Sequence, residues 1–214
     1  MRPCHDERSS RPRTTADRAR LLIYLDAQRT DIPWKNEGGA TREIARSHKG
    51  RGVDDFDWRV STAKIERDGT FSSFPGVERR IVNMGSSDVI LNIDGIDFVL
   101  APYEPLTFSG DSMTHARLTN GAIRDVNVMC RRSRASAVTM IRDVDGVHEE
   151  EANAGTWTLL VVLAGKFLAW PDVGDGRVLG SLDAVGGPGP LRFQVRGAGT
   201  LMIIRITEVR AGIE

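Results

Sequence analysis

The sequence predicts an all-β protein made of two stacked β-barrels of unequal size, with few helices. From Leu21 onward, short runs rich in Val, Ile, Phe and Trp are interrupted roughly every eight to twelve residues by Gly, Pro, Asn or Asp, a spacing typical of sandwiches and barrels. Helical periodicity is weak throughout the chain. The 214 residues, 40% of them apolar, are enough to bury one large core or two small ones.

Turn residues and apolar runs predict the individual elements. Asp68-Gly69 and Asp94-Gly95 each predict a tight hairpin, because both residues tolerate positive φ. Residues 186–190 are so rich in glycine and proline that they predict an exposed turn, whereas the unbroken apolar run Leu159–Leu163 predicts a strand buried on both faces. Predicted strands begin near Leu21, Thr41, Phe56, Ile81, Val89, Ile96, Met113, Ile123, Ser136, Thr156, Lys166, Leu191 and Thr200.

A join near Arg132 to Ala135 divides the predicted strands into two groups. We therefore expect a first barrel over residues 21–133 and a second, smaller barrel over residues 134–214. Residues 1–20 contain six arginines and few apolar side chains, so they cannot bury enough surface to offset chain entropy. They are predicted to form a flexible N-terminal leader.

Charge and composition exclude several classes of function. Lys and Arg total 29 and Asp and Glu total 29, so no global positive field favours nucleic acid or an anionic membrane as a partner. No apolar stretch approaches the length of a bilayer span. The two cysteines, Cys4 and Cys130, are predicted to be free thiols, which is typical of a reducing compartment. The expected location is the cytoplasm.

Two predicted strands separate polar from apolar side chains. Alternate residues of a strand share a face, so Arg59 lies on one face with Ser61, and Asp125 lies on one face with Asn127. The opposite faces carry Trp58, Val60 and Thr62 in the first strand and Val126, Val128 and Cys130 in the second, and are expected to pack. If the apolar faces pack outward against the second barrel, the polar faces point into the first barrel. The alternative, in which the polar faces are in water, is the ordinary arrangement of a free-standing sheet and stays open.

Arginine suits an anionic ligand, because its planar fork binds a carboxylate bidentately. Nearby aromatic residues could line such a site, and the loop Phe71–Gly76 is predicted to turn at the barrel mouth. Alternatively, Arg59 pairs with Asp57, Asp111 or Asp125 and only stabilises the fold. The predicted ligand-binding residues are Trp34, Asn36, Thr41, Arg42, Arg59, Ser61, Phe74, Arg79, Asp125 and Asn127.

No residue pattern indicates catalysis or a bound metal. The four histidines, among them His115 and His148, are widely spaced and include no His-x-His pair. Neither a nucleophile elbow nor a phosphate-binding glycine motif is present. We therefore predict no catalytic residue, no metal ligand and no cofactor. An enzyme that uses His115 or Asp111 as acid or base remains the alternative.

Five motifs in the first half of the chain resemble the HutD/Ves family. They are W-K-N-x-G-G-x-T-R-E-I at 34–44, D-F-D-W-R-V-S-x-A at 55–63, F-S-x-F-P-G-x-x-R at 71–79, F-x-G-D at 108–111 and D-x-N-V-M-x-R at 125–131. Glu37 departs from the family pattern, which often has a small residue there. The part after Ser133 is similar only in being β-rich.

The resemblance implies a bicupin, with two cupin-like barrels that lack the usual metal-binding histidines. It also implies a non-catalytic protein that binds a small organic acid, such as urocanate or a formylated glutamate, and that regulates histidine utilization. The competing function is a cupin-type isomerase or hydrolase, either metal-dependent or cofactor-free. Exposed strand edges also allow a homodimer.

Overall fold

The computed structural model describes residues 20–34, 38–48, 55–171 and 175–209, and their regular secondary structure is almost entirely β-strand. One short 3₁₀ turn, Asp26–Gln28, is present, and no helix in the described ranges is long and apolar enough to cross a membrane. Residues 1–19 of the predicted leader lie outside the described residues. The strands are β1 Leu22–Tyr24, β2 Ile32–Pro33, β3 Gly39–Arg46, β4 Trp58–Ile65, β5 Gly69–Thr70, β6 Val77–Asn83, β7 Val89–Ile93, β8 Ile96–Leu100, β9 Pro105–Ser109, β10 Thr114–Leu118, β11 Ile123–Arg131, β12 Ala135–Ala152, β13 Thr156–Ala169, β14 Arg177–Leu179, β15 Ala184–Pro188 and β16 Leu191–Glu208.

The strands form three sheets, which we call front, middle and back. The front sheet has the order β5-β10-β7-β8, and the middle sheet has the order β2-β3-β4-β11-β6-β9. The back sheet has the order β1-β15-β13-β16-β12, with β14 paired to β13. The predicted all-β class is confirmed. The described strands make open sheets rather than closed barrels, because each of these orders ends in an edge strand.

The middle and back sheets pack through a shared apolar core. Trp58 and Val128 of the middle sheet are buried in one cluster with Leu159 and Ile204 of the back sheet. The rings of Trp58 and Trp157 lie 5.0 Å apart between centroids, and Trp58 Nε1 donates a hydrogen bond to Glu208 Oε1 at 2.7 Å. The apolar faces of β4 and β11 therefore pack against the back sheet, which is the first of the two arrangements that the sequence left open.

The back sheet also buries its other face. Leu160, Phe167 and Ile203 belong to a separate cluster on that side. Since Leu159 and Leu160 point into different clusters, the prediction that Leu159–Leu163 is buried on both faces is confirmed. Strand β1 pairs with β15, so the first described strand of the chain lies in a sheet whose other strands all follow residue 134.

The prediction of an exposed turn at residues 186–190 is wrong. Gly186 and Gly187 are buried inside β15. A Cβ on Gly186 would lie 2.0 Å from the carbonyl oxygen of Thr158, and one on Gly187 would lie 2.5 Å from that of Arg20. The glycines therefore permit a close approach of neighbouring backbone, which sequence alone does not distinguish from turn formation.

The two predicted hairpin turns differ in outcome. Asp94 and Gly95 have φ of 50° and 89° and connect β7 to β8 with Ile93 opposite Ile96, so this hairpin is confirmed. Gly69 instead begins β5, which pairs with β10 rather than with β4. Its neighbour Asp68 accepts a hydrogen bond from the backbone N–H of Leu118 at 2.8 Å. The Asp68 carboxylate therefore connects its loop to the end of β10.

Candidate functional site

A set of buried polar side chains lies between the front and middle sheets, and we call it the inner polar group. Because these residues alternate with the apolar residues that face the back sheet, they point toward the front sheet. Their exposed fractions range from 1% for Asp125 to 7% for Asn127. The inner polar group consists of Arg59 and Ser61 on β4, Arg79 on β6, and Asp125 and Asn127 on β11.

Apolar side chains adjoin the inner polar group and lie among its members. Ile65, Ile81 and Ile123 pack with front-sheet residues, and Ile81 is opposite Asn127 in the register. Met129 belongs to a smaller cluster with Phe56 and lies between Arg59 and Arg79 in the register. The polar side chains therefore lie within an otherwise hydrocarbon interior, where an unmet hydrogen-bonding need is costly.

Arg79 is held mainly by aromatic rings. Its guanidinium carbon lies 4.9 Å, 5.6 Å and 5.1 Å from the ring centroids of Phe71, Phe74 and Phe108. Its Nη1 donates a hydrogen bond to the carbonyl oxygen of Ser72 at 3.4 Å. Its Nε is buried and has no hydrogen-bond partner among the described residues. Burial lowers the pKa of Arg79 to about 10, and the charge of Asp125 opposes that shift.

Asp125 is a buried carboxyl without a close cation. Its Oδ1 accepts a hydrogen bond from the backbone N–H of Ala63 at 3.0 Å, and the side chain makes no ion pair within the described part of the chain. Burial raises the pKa of Asp125 to about 7, although the charge of Arg79 and the Ala63 hydrogen bond act in the opposite direction. The carboxyl therefore changes protonation state near neutral pH.

Asn127 has spare hydrogen-bonding capacity. It lies between Ser61 on β4 and Ile81 on β6, and its Oδ1 is buried without a hydrogen-bond partner in the described ranges. Arg79 Nε and Asn127 Oδ1 thus present one unused donor and one unused acceptor in the same interior.

Arg59 pairs with a residue that the sequence prediction did not include. Its Nε lies 3.2 Å from Glu43 Oε2, and Arg46 Nη1 lies 3.6 Å from the same oxygen. Glu43 is opposite Ser61 in the register of β3 and β4, so it lies on the inner face. The sequence did contain a signal for Glu43. It lies two residues after Thr41 in the same motif, so strand alternation places both side chains on one face.

The aromatic residues predicted at the mouth contact one another. Trp34 Nε1 donates a hydrogen bond to Thr41 Oγ1 at 2.8 Å, and its ring meets Phe71 edge-on at 6.2 Å. Phe74 packs against Phe56 with their centroids 6.5 Å apart. All of them lie beside the inner polar group, but the polar atoms of Trp34 and Thr41 already bind each other. Asn36, also predicted for the site, lies outside the described residues.

The placement of Arg42 with the other arginines was wrong. Arg42 is opposite Thr62, so it lies on the face of the middle sheet away from the inner polar group. Its Nε and Nη1 form ion pairs with Asp31 at 2.6 Å and with Asp26 at 2.9 Å, which raises its pKa. The motif placed Arg42 near the site in sequence, but strand alternation directs it to the other side.

The residues considered for catalysis lie apart from the inner polar group. His115 alternates with the inward-facing Thr114 and contacts Thr70 at 3.3 Å. Asp111 is exposed, and hydrogen bonds from Arg132, Ser109 and the Gly76 backbone lower its pKa to about 2. Such a carboxyl is a poor proton donor at neutral pH.

The donor atoms of the inner polar group do not fit a metal ion. They comprise two guanidinium groups, one amide, one hydroxyl and the single carboxyl of Asp125, with no imidazole. In the described part of the chain, no three His, Cys, Asp or Glu side chains cluster closely enough to hold one. Cys130 faces the back sheet, and burial raises the pKa of its thiol to about 12.

A second buried polar cluster lies on the face of the back sheet that points away from the middle sheet. His148 Nε2 lies 2.9 Å from Glu150 Oε1, and Arg205 Nη2 lies 2.7 Å from Glu150 Oε2. His148 and Glu150 are almost fully buried, whereas the Arg205 side chain is 46% exposed. Glu150 also borders an open groove of about 530 Å³ together with Phe193 and Arg192. The sequence prediction missed this cluster.

Comparison with known proteins places the chain in a family. Residues 26–203 match the family model described as HutD. An uncharacterized 21.2 kDa protein in the hutC 3′ region of Pseudomonas putida is 39% identical over 126 residues, and protein Ves of Citrobacter koseri is 37% identical over 125 residues. These matches cover 58% and 57% of this chain, and only 65% and 64% of the two relatives.

Solved structures support the same relationship. HutD from Pseudomonas fluorescens SBW25 has a TM-score of 0.74 and 33% identity, covering 88% of this chain and 99% of that one. A cupin 2 conserved barrel domain protein from Leptotrichia buccalis has a TM-score of 0.55 at 10% identity, covering 83% and 92%, which is a likeness of fold alone. The chain therefore belongs to the HutD family and has a cupin-like fold.

Proposed function

We propose that this protein is a non-catalytic binding protein for a small organic acid, which Arg79 anchors within the inner polar group. One observation carries the proposal: Arg79 Nε and Asn127 Oδ1 are buried with no partner among the described residues. Leaving such a group unsatisfied costs roughly 1–3 kcal/mol. A ligand that supplies an anionic acceptor to Arg79 and a donor to Asn127 would remove both costs.

The surroundings of Arg79 favour an anion over a neutral ligand. Three aromatic rings surround the guanidinium, and within the described part of the chain it makes one hydrogen bond and no ion pair, so most of its charge is not neutralised by direct contact. In a poorly solvated interior, a charge-assisted pair with a carboxylate is about twice as strong as a neutral hydrogen bond. A carboxylate is the simplest group that matches Arg79.

Names of relatives suggest a biological context for such a ligand. One curated relative is described by its position in the hutC 3′ region, and one solved relative is called HutD and described with a formate condition. We extend this context to the present chain as a proposal: the bound acid is an intermediate of histidine utilization, and its occupancy regulates that pathway. Urocanate and N-formylglutamate are the first candidates.

Thermal unfolding of the full chain with added ligand tests this function. Formate, urocanate and N-formylglutamate are titrated as sodium salts, with sodium chloride at equal ionic strength as the reference. A ligand that binds only the folded state raises the melting temperature, and the gain in stability grows with the logarithm of ligand concentration above Kd, reaching about 2.7 kcal/mol at one hundred times Kd. Formamide, similar in size to formate but uncharged, should give no rise. If no acid shifts the transition beyond chloride, the proposed function is wrong.

A further inference from the structure

We propose that binding of an organic anion at Arg79 is accompanied by protonation of Asp125, so that the site takes up one proton with its ligand. This inference rests on the proposed function, because it concerns the same inner polar group. It follows from the placement of one buried carboxyl on the same inner face of the middle sheet as Arg79, the cation that the ligand would use.

The charged groups around Asp125 are few. On its own sheet, Arg79 comes from β6, Arg59 from β4 and Glu43 from β3, and Arg59 is already paired with Glu43. The inward residues of the front sheet are apolar apart from Thr114, so in the described ranges that sheet contributes no charge to this interior. Arg79 is therefore the cation whose field stabilises the ionised form of Asp125.

A bound carboxylate would change that balance. Arg79 makes no ion pair with Asp125 in the described structure, so a ligand can approach the guanidinium without breaking one. Once bound, the ligand carboxylate forms the main ion pair with the Arg79 guanidinium. It also places a second negative charge in the same interior. Two carboxylates that share a buried site do not both stay ionised, and the less well paired one takes up the proton.

Asp125 is the group that would accept this proton. Among the described residues, its single hydrogen bond comes from the Ala63 amide, and its exposed fraction is 1%, so water offers the ionised form little stabilisation. Burial already raises the pKa of Asp125 to about 7 in the free protein, and a nearby anion raises it further. Once protonated, the carboxyl can also donate a hydrogen bond to the ligand, which an ionised one cannot do.

Isothermal titration calorimetry with formate measures the proton directly. The titration is run on the full chain at pH 8 in two buffers of different ionisation enthalpy, and the difference in observed heat gives the protons taken up per formate bound. Formate itself stays ionised at this pH. We expect about one proton per site. We also expect Kd to rise by up to about tenfold per pH unit above pH 7, because the free site must then gain a proton to bind.

Asp125→Asn sharpens the test, because the amide mimics the protonated carboxyl. The variant should bind formate with no proton uptake and with a Kd that stays constant from pH 6.5 to 8.5. Asp111→Asn, which changes an exposed carboxyl, should keep the wild-type proton uptake. Binding by the wild type without proton uptake overturns this inference and leaves the proposed function standing. Absence of formate, urocanate and N-formylglutamate binding overturns both.

Discussion

The two buried polar clusters of this protein differ in how far the fold satisfies them. In the back sheet, both oxygens of Glu150 are occupied, one by His148 and the other by Arg205. In the inner polar group, Arg79 Nε and Asn127 Oδ1 are buried without partners in the described structure. Apart from Arg205, the members of both clusters are almost fully buried, so burial alone does not explain the difference.

The difference separates a cluster whose polar groups bind one another from a cluster that still has unused polar atoms. A buried network that is fully satisfied contributes to a unique, rigid core. A cluster with unused donors and acceptors loses stability in the free protein and regains it only when a partner arrives. We therefore expect loss of Glu150 to change stability, and loss of Arg79 in the inner polar group to change ligand binding.

The largest effect on stability is expected for Glu150→Ala. Removing this carboxylate breaks its contacts with His148 and Arg205, and breaking a buried pair costs about 3–5 kcal/mol. Because Arg205 is half exposed, we expect the lower end, about 3 kcal/mol, in urea unfolding. Glu151→Ala is the matched control, since its pair with Arg192 is exposed, and a change below about 1 kcal/mol is expected. Equal effects of the two substitutions would remove the contrast between buried and exposed pairs.

A smaller, pH-dependent effect is expected for Asp125→Asn. The pKa of Asp125 is about 7 in the folded protein and near its ordinary value of 3.8 in the unfolded chain, so the folded state binds more protons between these values. Stability should consequently fall as pH rises from about 4 to 7 and level off above that. Asp125→Asn should remove this component and stabilise the protein at pH 8 by on the order of 1–3 kcal/mol. A variant with the wild-type pH profile in urea unfolding would contradict the assignment.

A modest effect is expected for Thr41→Val at the edge of the inner polar group. The substitution removes the acceptor for Trp34 Nε1, and losing one neutral hydrogen bond costs about 1 kcal/mol. Chemical denaturation measures the loss, and the matched control is Thr70→Val on the front sheet, which is expected to be nearly neutral because its side chain is exposed. A stability loss as large as that of Glu150→Ala would show that Trp34 supports the whole core.

Arg79→Met is expected to leave stability within about 1 kcal/mol of wild type. The substitution replaces an incompletely satisfied buried cation with an apolar side chain among three aromatic rings, and such replacements are often neutral or stabilising. Urea unfolding without ligand measures the change. A loss of several kcal/mol would mean that the fold itself depends on the Arg79 charge, which would weaken the contrast with Glu150.

Strand alternation made much of the inner polar group predictable. Because side chains alternate with a period of two, the outward packing of Trp58 and Val128 was enough to direct Arg59 and Asn127 inward. The sequence could not show that Arg59 pairs with Glu43, since that contact depends on the register of β3 and on its irregularity between Glu43 and Ala45.

Other features depend on tertiary contacts that leave no local pattern. Strand β12 pairs with β16 without interruption, yet it buries odd-numbered residues such as Ala135 near its start and even-numbered ones such as His148 and Glu150 near its end. The alternation is unbroken, but the buried face changes from the one that carries Ala135 to the one that carries Ala152, so the Glu150 cluster was missed. The glycines of β15 were misread for a related reason: the carbonyl groups that crowd them belong to distant segments.

The most direct test of the account compares anion binding by two arginine variants in parallel. Calorimetric Kd values for formate and for N-formylglutamate are measured on the wild type, Arg79→Met and Arg205→Met, after urea unfolding confirms that each is folded. We predict that Arg79→Met weakens binding at least a hundredfold, the equivalent of about 2.7 kcal/mol, while Arg205→Met stays within about threefold of wild type. Wild-type affinity in Arg79→Met, or a loss confined to Arg205→Met, would contradict the account.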